Sequence, residues 1–187
     1  MKYTNFLFAM VLLMAMSCSN GTDSTKSQPV EETKEHKGQA AVSDGVSDAN
    51  ALQVASSLED FSTLVAAIEA AGVEDAVVNA GPLTIFAPVN DAFGKLPEGT
   101  VETLLKPENK SKLAFILTNH VAPANYHEKQ LKKEAAKGRK LYMASGKYLE
   151  VKDTEDGLMV GGTKILKTVK VSNGWIHVIG DVLVPAE

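Results

Sequence analysis

Hydrophobic and polar positions fall into four successive patterns along the chain. Phe6 to Met16 is almost wholly apolar, and Ser19 to Asn50 is polar with no aromatic residue. From Ala51 apolar residues recur at three- and four-residue intervals, the period of an amphipathic helix. From about Leu141 they come in short strand-like runs separated by glycine turns.

The helical region resolves further. Phe61, Leu64, Val65 and Ile68 form an apolar stripe, with Asp60 expected as N-cap and Gly72 as C-cap. Val73 to Asn79 reads as another short helix, broken by the residues that lead to Gly81-Pro82. Leu83 to Phe86 is an apolar strand, which Ala87-Pro88 stops because proline has no N–H to give a ladder. Asn90 suits a helix start and Phe93 a position folded back on the strand. Thr100 is expected to cap a helix carrying Val101, Leu104 and Leu105. Pro107 opens a helix that buries Leu113, Ile116 and Leu117, runs toward His120 and is bounded by Pro123.

The second half predicts strands at Leu141–Met143, Tyr148–Val151, Leu158–Val160, Ile165–Val171 and Trp175–Ile179. Ser145-Gly146, Asp156-Gly157, Gly161-Gly162 and Asn173-Gly174 supply the turns. Helices gather in the first half and strands in the second, with one strand reaching back. That distribution predicts an α+β fold rather than a repeating βαβ sheet.

The N-terminal patterns predict processing. Lys2 followed by the apolar run is a signal peptide over residues 1–17, too short to span a bilayer comfortably. Leu13-Met14-Ala15-Met16-Ser17-Cys18 resembles a bacterial lipobox, with Cys18 the lipid attachment site. Residues 18–50 then read as a lipidated, disordered tether, because such a segment buries too little apolar surface to offset its ordering entropy. Residues 51–187 are the folded domain, and the anchor places it in the cell envelope outside the cytoplasmic membrane. The membrane is thus the first expected partner.

Composition and charge narrow the chemistry. The 187 residues carry a net charge of −4 with scattered basic residues, which argues against nucleic acid as a partner. One cysteine excludes an intrachain disulfide. His36 sits in the charged tether and reads as solvated. His120 and His177 are polar members of apolar stretches, the pattern of buried histidines bonded to backbone. His120 and His127 are separated by a proline and match no metal-ligand spacing, so no metal and no cofactor are expected. Nucleophile and phosphate-loop motifs such as G-x-S-x-G and G-x-x-x-x-G-K are missing, so no enzyme activity is expected. The lysines of Lys129–Lys140 read as a solvated helix face, and Trp175 as either core or exposed binding patch.

Three segments together resemble the fasciclin-domain family over roughly Leu58 to Pro185. The first is Thr84-Ile85-Phe86-Ala87-Pro88-Val89-Asn90-Asp91-Ala92-Phe93. The second is the helix Leu113 to Val121, in which Asn119 stands where the family usually has tyrosine before His120. The third is Asn173-Gly174-Trp175-Ile176-His177-Val178-Ile179 with Leu183-Val184-Pro185, in which Gly180 replaces the usual aspartate and Asp181 follows it. The resemblance implies a helical first half packed on a β-sandwich or wedge formed mostly by the second half. It implies a framework role for Thr84, Phe86, Pro88, Asn90, Phe93, Asn173, Gly174, Ile176, His177 and Pro185, with Phe86, Phe93, Ile176 and Val178 in the core.

The resemblance also implies adhesion, with an envelope or extracellular protein or a carbohydrate as partner. A contact surface is expected at Asn119, His120 and Val121. The positions linked to integrin binding in animal relatives hold Thr168 and Val169 without an acidic residue, so integrin recognition is not expected. Two alternatives remain open: a structural envelope component that binds another envelope protein, and a small-molecule-binding or enzymatic protein with a pocket of its own.

Overall fold

The computed structural model describes residues 49–79 and 81–185. The expected signal peptide, the expected lipid attachment site Cys18 and nearly all of the expected tether lie outside the described residues.

The chain enters through helix α1 (Ala51–Ser56), where Asn50 and Gln53 form a reciprocal capping box. Helix α2 (Ser62–Ala71) carries the expected stripe, burying Leu64, Ala67, Ile68 and Ala71. Gly72 ends it in the left-handed conformation, with φ of 65° and its N–H bonded back to Ile68 and Glu69. Helix α3 (Glu74–Val78) follows, then strand β1 (Leu83–Pro88). Helices α4 (Asn90–Gly94), α5 (Thr100–Leu104) and α6 (Lys110–Thr118) come next, and a short 3-10 turn at Pro107–Asn109 leads into α6. Strand β2 (Val121–Ala122) and helix α7 (Glu128–Ala136) complete the helical half. Strands β3 (Lys140–Tyr142), β4 (Tyr148–Thr154), β5 (Gly157–Val160), β6 (Thr163–Val171) and β7 (Gly174–Ile179) fill the rest.

The seven strands form one sheet in the order β2-β1-β7-β6-β5-β4-β3. Neighbours are antiparallel except β1 and β7, which run parallel from Leu83 opposite Gly174 to Pro88 opposite Ile179. Just past β3, the Ala144 N–H donates to the Val121 carbonyl of β2 at 2.7 Å, so the two edges meet and the sheet nearly closes. The parallel pair is the centre of the molecule. Every residue of β1 is buried, as expected for a parallel strand covered on both faces.

Two cores result. Leu83, Ile85, Ala87 and Ile176 face α1, α2, α3 and α6 with Phe61, Leu64, Ile68, Leu113 and Leu117. Phe86 and Ile179 face the interior of the curled sheet with Leu131, Leu141, Met143, Val151 and Val160. Alternation along one strand therefore feeds both cores. Phe86 and Ile176 are buried as expected, while Phe93 and Val178 are partly buried against the first core.

Two caps differ from expectation. Asp60 lies in a 3-10 turn rather than capping α2, and Thr100 is the first residue of α5 behind Gly99 rather than its cap. The α2 start is served instead from a distance, as described next.

Candidate functional site

The polar residues of the recognisable segments converge on backbone groups of their own fold. Asn90 is within α4, yet its Oδ1 accepts the Thr63 N–H at 3.0 Å and its Nδ2 donates to the Glu59 carbonyl at 2.9 Å. It thus caps α2 from another element, supplying the acceptor that Asp60 does not. Asn173 does the same for two helices. Its Oδ1 accepts the Ala51 N–H at the start of α1, and its Nδ2 donates to the Val77 carbonyl near the end of α3. Gly174 beside it has φ of 148°, and a Cβ there would stand 1.8 Å from the Leu83 carbonyl oxygen. Only glycine lets β7 lie this close to β1.

Thr84 and His177 hold the crossing from β2 toward α7. The Thr84 hydroxyl donates to the Ala124 carbonyl at 2.7 Å and accepts the Tyr126 N–H at 2.9 Å. His177 Nε2 donates to the Tyr126 carbonyl at 2.7 Å, and its Nδ1 accepts the Thr168 hydroxyl at 2.9 Å. The ring stacks on Phe86 with centroids 5.4 Å apart. The neutral ring satisfies both nitrogens. Burial pushes its pKa down, against smaller opposing effects of the Tyr126 carbonyl and Glu128.

Asn119, His120 and Val121 were the expected contact surface, and all three are buried. The reason is their place at the α6–β2 junction, beneath the C-terminal segment. His120 Nδ1 donates to the Ile116 carbonyl at 2.8 Å, one helical turn back, and Nε2 accepts the Leu183 N–H at 2.9 Å. Asn119 Nδ2 donates to the Leu183 carbonyl at 3.0 Å, and its Oδ1 accepts the Ser145 hydroxyl at 2.8 Å. The pair clasps both polar groups of one residue, Leu183. The asparagine in place of tyrosine thus has a specific structural task. Burial lowers the His120 pKa to about 4, and the Ile116 bond opposes this only in part.

Asp181 has a task as well. One carboxylate oxygen meets Lys95 Nζ at 2.7 Å and the other accepts the Thr163 hydroxyl at 2.8 Å. Lys95 also donates to the Gly180 carbonyl. Lys95 and then Thr163 hold the Asp181 carboxyl below its ordinary pKa. Pro88 is buried at the end of β1, and Pro185 is half-buried at the end of the described chain. Trp175 is half-buried beside the His127 ring.

The groups left open lie elsewhere. On the outer face of the curled sheet, pairing aligns Tyr142 with Tyr148, Lys140 with Glu150, Lys152 with Met159, and Met159 with Lys164. The two tyrosine rings sit 5.4 Å apart at 58°, with 48% and 63% of each residue exposed. A concavity of about 730 Å³ opens beside them, lined by Tyr148, Glu150, Lys152, Met159 and Pro185. A second cleft, of about 340 Å³, lies between α5, α6 and the C-terminal segment. Its walls are aliphatic, including Leu96, Val101, Leu104, Ile116 and Val182, and α5 buries no residue. Sequence reasoning missed both openings. Alternation of Tyr148, Glu150 and Lys152 was the available signal for the first.

Among the described residues, no group of three His, Cys, Asp or Glu side chains is placed to hold a metal ion. No described helix is long and apolar enough to cross a membrane.

A nearly closed sheet, a helical layer on its parallel centre, and polar residues turned inward as ties define the class: an α+β module of the fasciclin type. The fasciclin domain model matches residues 59–185, and the chain belongs to that family. It is 43% identical over 149 residues to Protein sll1483 of Synechocystis sp., covering 78% of this chain and 80% of that protein. It is 34% identical over 140 residues to transforming growth factor-beta-induced protein ig-h3 of Sus scrofa, covering 73% of this chain but 20% of that protein. Among solved structures it resembles the FAS1 domain pair of the insect cell adhesion molecule fasciclin I, with a TM-score of 0.67 and 20% identity, over 75% of this chain and 52% of that one. That last likeness concerns the fold.

Proposed function

We propose that this is a recognition protein of the cell envelope, which binds an envelope or extracellular protein or carbohydrate and performs no chemistry on it. A lipid on Cys18 anchors it, and residues 18–50 carry the domain away from the membrane. The observation that carries the reading is the division of polar groups. The histidines and asparagines that look chemical are tied to backbone, whereas the outer sheet face gathers exposed tyrosines and lysines. Tethering suits it too, because a fixed partner then meets a raised local concentration.

The test has two parts. The Cys18→Ala protein should leave the membrane fraction for the soluble one. Added to isolated envelopes, that soluble full-length chain should bind saturably. Retention of Cys18→Ala in the membrane argues against the anchor, and lack of saturable association argues against recognition.

The aliphatic cleft supports a second reading, a small-molecule-binding protein. Packed interiors leave few voids larger than a water, and this cleft has the size of a small ligand site. A saturable rise in melting temperature with 1-decanol, lost in Leu104→Trp, is the expected result if that reading holds. No rise rejects it.

A further inference from the structure

Resting on the recognition reading, we infer that the ligand is an anionic polysaccharide and that it lies on the outer face of β3 to β6. Three observations converge on that face. Strand pairing puts Lys140, Tyr142, Tyr148, Glu150, Lys152 and Lys164 on one surface. Three lysines there stand against one glutamate, on a chain whose net charge is −4. The glutamate is already answered, because Glu150 lies 3.1 Å from Lys152 Nζ and 4.0 Å from Lys140 Nζ. Among the side chains that pairing aligns on this face the surplus is positive, and its complement is an anion; Asp153, Glu155 and Asp156 lie beyond it at the β4–β5 turn.

The tyrosines specify what kind of anion. Two exposed aromatic rings offer flat apolar faces with a hydroxyl at the tip, and such side chains are enriched where one side of a contact is apolar and the other wet. A sugar ring has the same two characters, an apolar C–H face and a polar rim. From Tyr148 to Lys152 is about 13 Å along the strand, so a short run of polymer spans ring-stacking and charge-pairing positions together. The adjoining concavity gives the run a bed. An anionic bilayer fits less well. Glu150 sits in the middle of the face, where a flat anionic sheet cannot avoid it but a single polymer strand can.

The experiment uses the soluble full-length Cys18→Ala chain and four probes: polygalacturonate, dextran, polyglutamate and phosphatidylglycerol vesicles. Polygalacturonate should bind saturably, at least about tenfold more tightly than dextran, which lacks charge, or polyglutamate, which lacks rings. Binding should weaken as salt is raised, because exposed charges are screened. Tyr142→Ala/Tyr148→Ala and Lys140→Gln/Lys152→Gln should each weaken it about tenfold with the melting temperature held within a few degrees. Should the double tyrosine variant fold poorly, Tyr148→Ala alone, at the more exposed ring, should still weaken it severalfold. The inference is overturned if polygalacturonate does not bind, if polyglutamate or dextran binds equally, if vesicles bind more tightly, or if folded variants bind unchanged. Envelope association that persists without polygalacturonate binding would sink this inference and leave the recognition reading standing. Loss of both would sink the two together.

Discussion

The parallel centre of the sheet and its antiparallel arm are built from similar residues put to opposite uses. In β1 and β7, Thr84, His177 and the flanking Asn173 turn their polar atoms onto the fold's own backbone, except His177 Nδ1, which meets the Thr168 hydroxyl. In β3 and β4, Tyr142, Tyr148, Lys140 and Lys152 face water. The difference follows from what covers each face. β1 and β7 have helices on one side and a packed interior on the other, so a polar group there must be bonded internally or be costly. β3 and β4 have their interior on one side only, so their alternate residues are free for a partner. The residues that make the family legible are therefore its ties, and the residues available for contact carry no family signature.

The comparison can be broken most severely at Gly174. Gly174→Ala puts a methyl group into the Leu83 carbonyl and should cost more than about 4 kcal/mol, or prevent folding. Urea unfolding of that variant with a near-normal midpoint would show that the parallel pair tolerates more separation than this account allows. Phe86→Ala removes a fully buried ring from the interior core and its stack on His177, and should cost about 3–5 kcal/mol by the same measurement.

Acid should act on the centre through its histidines. The folded-state pKa of His120 lies below its ordinary value, so the unfolded chain binds the extra proton first. Its contribution is whole above about pH 6.5 and is lost as pH falls toward about 4, with His177 acting in the same direction. The loss from His120 alone should reach about 3 kcal/mol, since each pKa unit is about 1.4 kcal/mol. Protonated Nε2 would place a second N–H against that of Leu183 and release the C-terminal segment. Stability measured from pH 7 to 4 should fall accordingly, and the fall should be shallower in His120→Gln, which starts from a lower value at pH 7.

Asn90 offers a smaller effect. Asn90→Ala uncaps α2 and leaves the Glu59 carbonyl without that donor, and should cost about 1–2 kcal/mol. Its partner comparison is Asp60→Ala, which should cost almost nothing because Asp60 is exposed and is not the cap.

Much of this fold could be read from residues alone. The helical stripe at Phe61–Ile68, the Gly72 stop, the strand at Leu83 and the later glycine turns are local patterns, and local patterns survive into the structure. What stayed illegible is long-range. Nothing beside Asn90 reveals that its amide reaches a helix start 27 positions earlier. The two-residue strand β2 is too short to carry a period. Nothing local at Asn119–Val121 shows that the C-terminal segment folds over it. The sheet's outer face was missed because tyrosine and lysine in alternation are ordinary until pairing lines up three strands.

A small expected change in stability belongs to the most informative variant. Tyr142→Ala/Tyr148→Ala removes an exposed cross-strand ring pair and should shift stability by no more than about 1 kcal/mol. The direct test of the account is saturable association of this full-length variant, in the soluble Cys18→Ala background, with isolated envelopes. Association should fall about tenfold, with an unfolding curve moved by no more than that small shift. Full association by a normally folded variant would contradict it.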